Sequence, residues 1–264
     1  LEHAVIPFLF AAIGICVIAW ILRGFRYQFI LEGLGVPESL RFATACIFIS
    51  QTANLIVPAR LGDFVRMLIL KHEDNATYSQ GFSSIVVERV FDILMVAVLG
   101  AIALPFVLAV PDWFITVIVV PIAAGGVFFI VLLWSGRMKS ENRFVVAVQR
   151  MLDEVKQASL NPRALLMLST SSLLIWLVDV LVCAAVVLMF QEPVPFAIVV
   201  LAIVIGNLVK AVPITPGGVG TYELALALTF GLAGTPAATA TLIAVIDHLI
   251  KNMVTLVGGI GSIY

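Results

Sequence analysis

Two stretches bring charge, proline and glycine together inside long apolar runs. NLIVPARLGDFVRMLIL (Asn54 to Leu70) sets Arg60, Asp63 and Arg66 around a break at Pro58 and Gly62. NLVKAVPITPGGVGTYE (Asn207 to Glu223) sets Lys210 and Glu223 around a break at Pro213, Pro216, Gly217, Gly218 and Gly220. Proline lacks a backbone donor and clashes with the preceding turn, so it ends a helix. Glycine admits backbone conformations that other residues resist. A helix that restarts after such a break turns free N–H groups and the positive end of its dipole toward an anion. Arginine and lysine add charge-assisted donors suited to phosphate. Asn54, Arg60, Arg66, Asn207, Lys210, Gly217, Gly218 and Glu223 are therefore candidate ligands of an anionic head group. A structural reading stands beside this one, in which Asp63 and Glu223 only cap the restarted helices.

A second set of charges follows each break. VVERVFD (Val86 to Asp92) carries Glu88, Arg89 and Asp92, and VIDHLIKN (Val245 to Asn252) carries Asp247, His248 and Lys251. A charge at membrane depth costs ~2.5–3.5 kcal/mol on insertion scales, so each needs a partner. Spacing suggests Asp63–Arg66 and Arg89–Asp92 at i, i+3 and Asp247–Lys251 at i, i+4. Together with Asp63 these residues form a candidate polar network, either a structural core or the wall of a site. Glu88, Asp92 or Glu223 could carry a coupled proton. No nucleotide-binding loop, zinc-protease spacing or serine elbow occurs. His3, His72 and His248 lie in different segments, and Cys16, Cys46 and Cys183 are scattered in apolar runs. No catalytic residue, metal site or cofactor is expected.

The elements that must hold these residues follow from composition. The chain has 264 residues, 62% hydrophobic and 12% charged, a balance that cannot cover a water-facing surface. Lipid is the solvent it fits. Net charge is −1, which predicts no nucleic-acid partner. The opening Leu1-Glu2-His3 lacks a basic n-region, so no cleaved signal peptide is expected. Spanning helices are predicted at about 4–22, 81–109, 113–135, 163–190 and 235–260. The runs 40–57 and 196–212 break and resume at 64–70 and 222–233, the pattern of hairpins that dip into the bilayer and return. Arg23, Arg26 and Arg41 are read as one cytoplasmic loop, with Lys71 in another. The segment 136–163, with Arg137, Lys139, Arg143, Arg150, Lys156 and Arg163, is read as cytoplasmic. Within it, 137–160 has the pattern of an amphipathic surface helix, serving either as a linker or as a lipid sensor. The loops at 110–112 and 191–195 hold no Lys or Arg and face outside.

Asn54 and Asn207 stand 153 residues apart, and the interval from Gly62 to Arg89 equals that from Gly220 to Asp247, 27 residues. The expected fold is an all-α polytopic membrane bundle, one domain over 1–264. Two re-entrant hairpins form an inverted repeat of units 4–109 and 163–264, joined by helices 113–135 and 137–160.

At NLIVPARLGDFVRMLIL, SSIVVERVFD and PITPGGVGTYE the sequence resembles the membrane region of the lysylphosphatidylglycerol synthetase/flippase family. That region also occurs in flippase-like proteins linked to polyprenyl-phosphate glycosyltransferases. The resemblance covers nearly the whole chain. It implies re-entrant hairpins, lipid translocation in a prokaryotic cytoplasmic membrane, and membrane lipids as partners. By position it points to Asn54, Pro58, Arg60, Gly62, Asp63, Arg66, Glu88, Arg89 and Asp92, and to Pro213, Pro216, Gly217, Gly218, Gly220 and Glu223. It departs from the family pattern where Asp63 replaces a common Glu, where many members carry Arg near Asp247-His248, and in the lack of one helix before 4–22. This sequence holds neither the lysyl-transferring nor a glycosyltransferase domain, so lysyl-lipid synthesis by this chain alone is not expected. The leading expectation is flippase- or scramblase-type movement of an anionic phospholipid or polyprenyl-phosphate head group. The alternative is a membrane subunit or enzyme acting on lipid-linked phosphate beside a separate soluble synthase or glycosyltransferase domain.

Overall fold

The structure is a computed structural model that describes residues 5–57, 60–73, 76–108, 110–135, 142–212 and 215–263. Among the described residues it is all helix and connection: α1 (Pro7–Gly33), α2 (Leu40–Ile56), α3 (Gly62–Glu73), α4 (Tyr78–Ala103), α5 (Asp112–Trp134), α6 (Arg143–Ser159), α7 (Pro162–Met189), α8 (Phe196–Ala211), α9 (Thr221–Gly231) and α10 (Ala237–Gly261). Short 3-10 turns, Leu104–Phe106 and Pro216–Gly218, follow α4 and precede α9.

Four helices, α1, α5, α7 and α10, are long and apolar enough to cross a membrane. The sequence reading counted a fifth span at 81–109. Its helix, α4, is 26 residues long but carries Glu88, Arg89 and Asp92, so it is too polar to count with the four by composition alone. The outer faces suit lipid. Phe10, Val17, Ile18 and Phe25 on α1 and Val119, Val120, Val127, Ile130 and Leu133 on α5 are exposed. The interior centres on α8, where every residue from Ile198 to Gly206 is buried. A helix apolar all round belongs in the middle of a bundle.

Local chemistry explains most boundaries. Ser39 accepts a hydrogen bond from the Phe42 N–H at the start of α2, and Asn161 does the same for Ala164 N–H at the start of α7. Thr77 and Gln80 form a capping box on α4. Helix boundaries correct the sequence reading of the basic loops: Arg41 lies in the first turn of α2 and Lys71 in the last turn of α3. Arg23 and Arg26 do not lie in a loop, because α1 runs on to Gly33. It stops where Gly35 turns left-handed (φ +77°) and the Val36 N–H closes back on the Leu31 carbonyl. That glycine-based stop lies more than two turns beyond Arg26.

The broken runs are observed as paired helices, α2 with α3 and α8 with α9, each pair packed on itself. Gly62 lets α3 start directly against α2, since a Cβ there would meet the Ser50 carbonyl at 2.3 Å. Gly217, Gly218 and Gly220 all take positive φ, so the chain can turn tightly between α8 and α9. Pro58 and Pro213, read as hairpin breaks, lie outside the described residues. So do Arg137 and Lys139 of the basic segment. Amphipathic α6 is docked rather than free: Glu154 accepts from Ser79 (2.6 Å) and Ser83 (2.9 Å) of α4. Val155 and Leu152 join a cluster with Val87, Phe91, Leu132 and Leu168.

Candidate functional site

The internal charges assemble into two networks around one cavity. The first is centred on α4. Arg26 of α1 pairs with Asp92 of α4 through both guanidinium nitrogens, reaches Glu88 at 3.4 Å, and donates to Ser172 Oγ of α7 at 2.8 Å. Trp176 Nε1 donates to Asp92 at 3.1 Å. Arg66 of α3 pairs with Glu88 and lies under the Tyr27 ring at 4.4 Å. Asp63 accepts from Ser50 (3.1 Å), Asn54 (3.0 Å) and Arg89 (3.1 Å). The i, i+3 pairs expected from spacing, Asp63–Arg66 and Arg89–Asp92, are therefore replaced by pairs between helices. Where the low-dielectric interior removes water, the carboxylates take the partners that neighbouring helices aim at them.

The second network is centred on α10. Lys251 donates to Asp179 of α7 at 3.0 Å and lies 3.0 Å from Asp247, the i, i+4 pair expected from the sequence. Tyr222 donates to Asp247 (2.7 Å) and accepts from Lys251 (3.1 Å). Arg23 reaches the other Asp179 oxygen at 3.6 Å. Glu223 accepts from the Gly220 N–H at 2.7 Å, so it does cap α9, and its second oxygen takes His248 Nδ1 at 2.6 Å.

Between the networks lies a cavity of about 150 Å³. Of the residues singled out from sequence, Asn54, Arg60, Glu88, Arg89, Asp92, Asn207, Lys210, Gly217, Gly218, His248 and Lys251 line it. Arg66 does not: it is fully buried against Glu88 and Tyr27. Asp63, Asp247 and Glu223 do not line the cavity, and neither do Gly62, Pro216 and Gly220. Arg60 and Lys210 meet across the two breaks, Arg60 Nη2 donating to the Lys210 carbonyl at 3.2 Å. Arg60 holds a left-handed backbone (φ +55°), rare for a non-glycine residue. Among the described residues neither cation has a carboxylate partner. The Lys210 ammonium instead faces His248 Nε2 at 3.2 Å and the Tyr222 ring at 5.4 Å.

Sequence reasoning missed Arg23, Arg26, Trp176, Asp179 and Tyr222. Asp179 carried a signal, since it is an acid inside an apolar run. Arg26 carried another: it stands as far before Asp179 as Asn54 does before Asn207.

Long apolar helices with lipid-suited faces, enclosing charges that face one another, define an integral helical membrane protein with a polar interior site. The chain belongs to the family described as the lysylphosphatidylglycerol synthase TM region, whose family model matches residues 1–259. It is 34% identical to "Glycosyltransferase AglD" of Haloferax volcanii, over 96% of this chain and 48% of that protein. The chain thus spans about half the length of that relative. It is 24% identical to the UPF0104 membrane protein PH1989 of Pyrococcus horikoshii, over 98% of this chain and 87% of that protein. A third relative, UPF0104 membrane protein MJ1078 of Methanocaldococcus jannaschii, is 28% identical over 66% of this chain and 76% of its own length. No solved structure matches the chain.

Proposed function

We propose that this protein carries the anionic head group of a phospholipid or polyprenyl-phosphate lipid across the bilayer through the central cavity, in the manner of a flippase or scramblase. The observation that carries the reading is the pair Arg60 and Lys210, two cations brought to one wall without carboxylate partners. Every carboxylate on that wall is held by another cation: Glu88 and Asp92 by Arg26, Asp179 by Lys251. A cavity of about 150 Å³ has room for roughly five water molecules, enough for a phosphate group but not for an acyl chain. The tails would stay in lipid while the head passes.

In this reading α2–α3 and α8–α9 are the re-entrant hairpins, and α1–α4 and α7–α10 are inverted copies of one unit. The packing supports an exchange of the two sets. α1 packs on α2, α4 and α10, and its counterpart α7 packs on α8, α10 and α4. α4 packs on α8 as α10 packs on α2, while α1 and α7 pack on each other. The protein would sit in a prokaryotic cytoplasmic membrane with 136–163 inside. The name of the Haloferax relative favours a second reading: this region serves as the membrane module of an enzyme acting on lipid-linked phosphate, with its catalytic domain elsewhere.

The test is a transbilayer assay. Purified protein is reconstituted into liposomes containing a head-group-labelled anionic phospholipid or a labelled polyprenyl phosphate, and the outer leaflet is quenched chemically. Translocation predicts quenching beyond the outer-leaflet fraction, lost in Arg60→Ala. Quenching equal to protein-free liposomes with both lipids would sink the transport reading and leave the enzyme-module reading.

A further inference from the structure

The Glu223–His248–Lys210 chain has a polarity that the anion-site reading does not use. Glu223 accepts with both oxygens, from the Gly220 N–H and from His248 Nδ1. A carboxylate that accepts from the ring fixes the proton on Nδ1 and leaves the Nε2 lone pair facing the cavity. There Nε2 accepts from the Lys210 ammonium at 3.2 Å. Lys210 is thus a cavity cation held by a neutral base instead of by a carboxylate.

Resting on the proposed anion site, we infer that His248 takes up a proton when an oxyanion occupies the cavity, so that anion and proton bind together. An oxyanion that claims the Lys210 protons frees Nε2. A proton taken up from the buffered solvent then adds to Nε2, the Nδ1–H keeps donating to Glu223, and the new Nε2–H donates to the anion.

The groups facing His248 fit that coupling. Lys210 of α8 and Lys251 of α10 oppose a positive ring while the cavity is empty, and an anion beside Lys210 offsets that opposition. Glu223 of α9 supports the positive ring from behind. Tyr222 of α9 lies beside it at 4.6 Å, its hydroxyl tied to Asp247 and Lys251. Asp179 of α7 and Arg23 of α1 lie beyond Lys251 and pair with each other. α2 packs on α10 through Phe48 and Thr52, which carry no titratable group.

The experiment is isothermal titration of the full chain in nanodiscs with inorganic sulfate, whose charge is constant across the neutral range. It is repeated with hexyl sulfate to separate a free anion from a lipid-like head group. Buffers of differing ionisation enthalpy count the protons taken up. The expected result is uptake approaching one proton per anion, with affinity rising by up to about tenfold per unit fall in pH. His248→Gln should bind with no proton uptake and a flat pH profile. Should His248→Gln fail to fold, Glu223→Gln serves instead: it removes the charge behind the ring and should at least halve the uptake. Binding with the wild-type slope in His248→Gln, or unchanged uptake in a folded Glu223→Gln, overturns the coupling alone. Binding of inorganic sulfate with proton uptake, but no binding of hexyl sulfate, overturns the lipid reading and supports the coupling, whereas binding of either anion by the wild type without uptake overturns the coupling. Binding of neither anion overturns both.

Discussion

The interior cations divide into two kinds. Arg26 and Arg66 are nearly or fully inaccessible and lock onto Asp92 and Glu88. Removing one partner of a buried pair strands the other charge and typically costs about 3–5 kcal/mol. Arg26→Ala should therefore lower the thermal unfolding midpoint sharply in detergent, read by the onset of aggregation on gel filtration. Arg60 gives up only a hydrogen bond to the Lys210 carbonyl. Arg60→Ala should leave the midpoint nearly unchanged and reduce head-group translocation about tenfold or more, the scale of a lost hydrogen bond to a charged group. Equal destabilisation by the two variants would contradict the division. The sequence could not make it. Spacing along one helix pairs Arg66 with Asp63, whereas the assigned partner, Glu88, arrives from another helix. Partner choice among buried ions depends on tertiary approach, which the linear pattern does not carry.

Helices, by contrast, were largely legible. Among the described residues each apolar run, broken or unbroken, forms a helix, because apolar stretches between polar punctuation have little else to form in lipid. The error fell at the end of α1, where Arg23 and Arg26 were read as loop charges. The chain's own stop signal, Gly33 to Gly35 with Pro37 beyond, was the better guide. Glycine matters most where helices restart. At Gly62 a side chain would strike the Ser50 carbonyl and the Asn54 amide, both backbone. Gly62→Val should force α3 off α2, with a clear drop in folded yield and unfolding temperature. Gly218 combines positive φ (+78°) with a Lys210 side chain 2.6 Å from the added Cβ. The left-handed backbone alone costs a larger residue about 1–2 kcal/mol. Gly218→Leu should accordingly fold but displace Lys210, abolishing translocation in the liposome assay while the circular dichroism spectrum stays helical. Normal transport by that variant would mean that the turn between α8 and α9 does not shape the path.

Across the whole molecule, the proposed repeat places Arg26 opposite Asp179 and sets the α1–α4 bridge, Arg26–Asp92, against the α7–α10 bridge, Asp179–Lys251. The two bridges occupy corresponding helix pairs with the charges reversed. Such reversal keeps each half neutral across its own helix contact while letting α1 and α7, which pack on each other, present opposite charges to their shared interface. The proposed two-fold relation carries a prediction about topology. If α2–α3 and α8–α9 each return to the side they came from, the ends of both hairpins are fixed to opposite leaflets. Single cysteines at Glu32, His72 and Arg143 should then react with a membrane-impermeant maleimide only from the inside. Cysteines at Glu192 and Ala238 should react only from the outside. The native Cys16, Cys46 and Cys183 are buried and should stay silent. The decisive pairs are Glu32 with His72 and Glu192 with Ala238, since each flanks one broken run. Labelling of Glu32 and His72 from opposite sides would make α2–α3 a full crossing. It would also invert every later segment, place the basic segment 136–163 outside, and remove the antiparallel relation on which a midplane site between the halves depends.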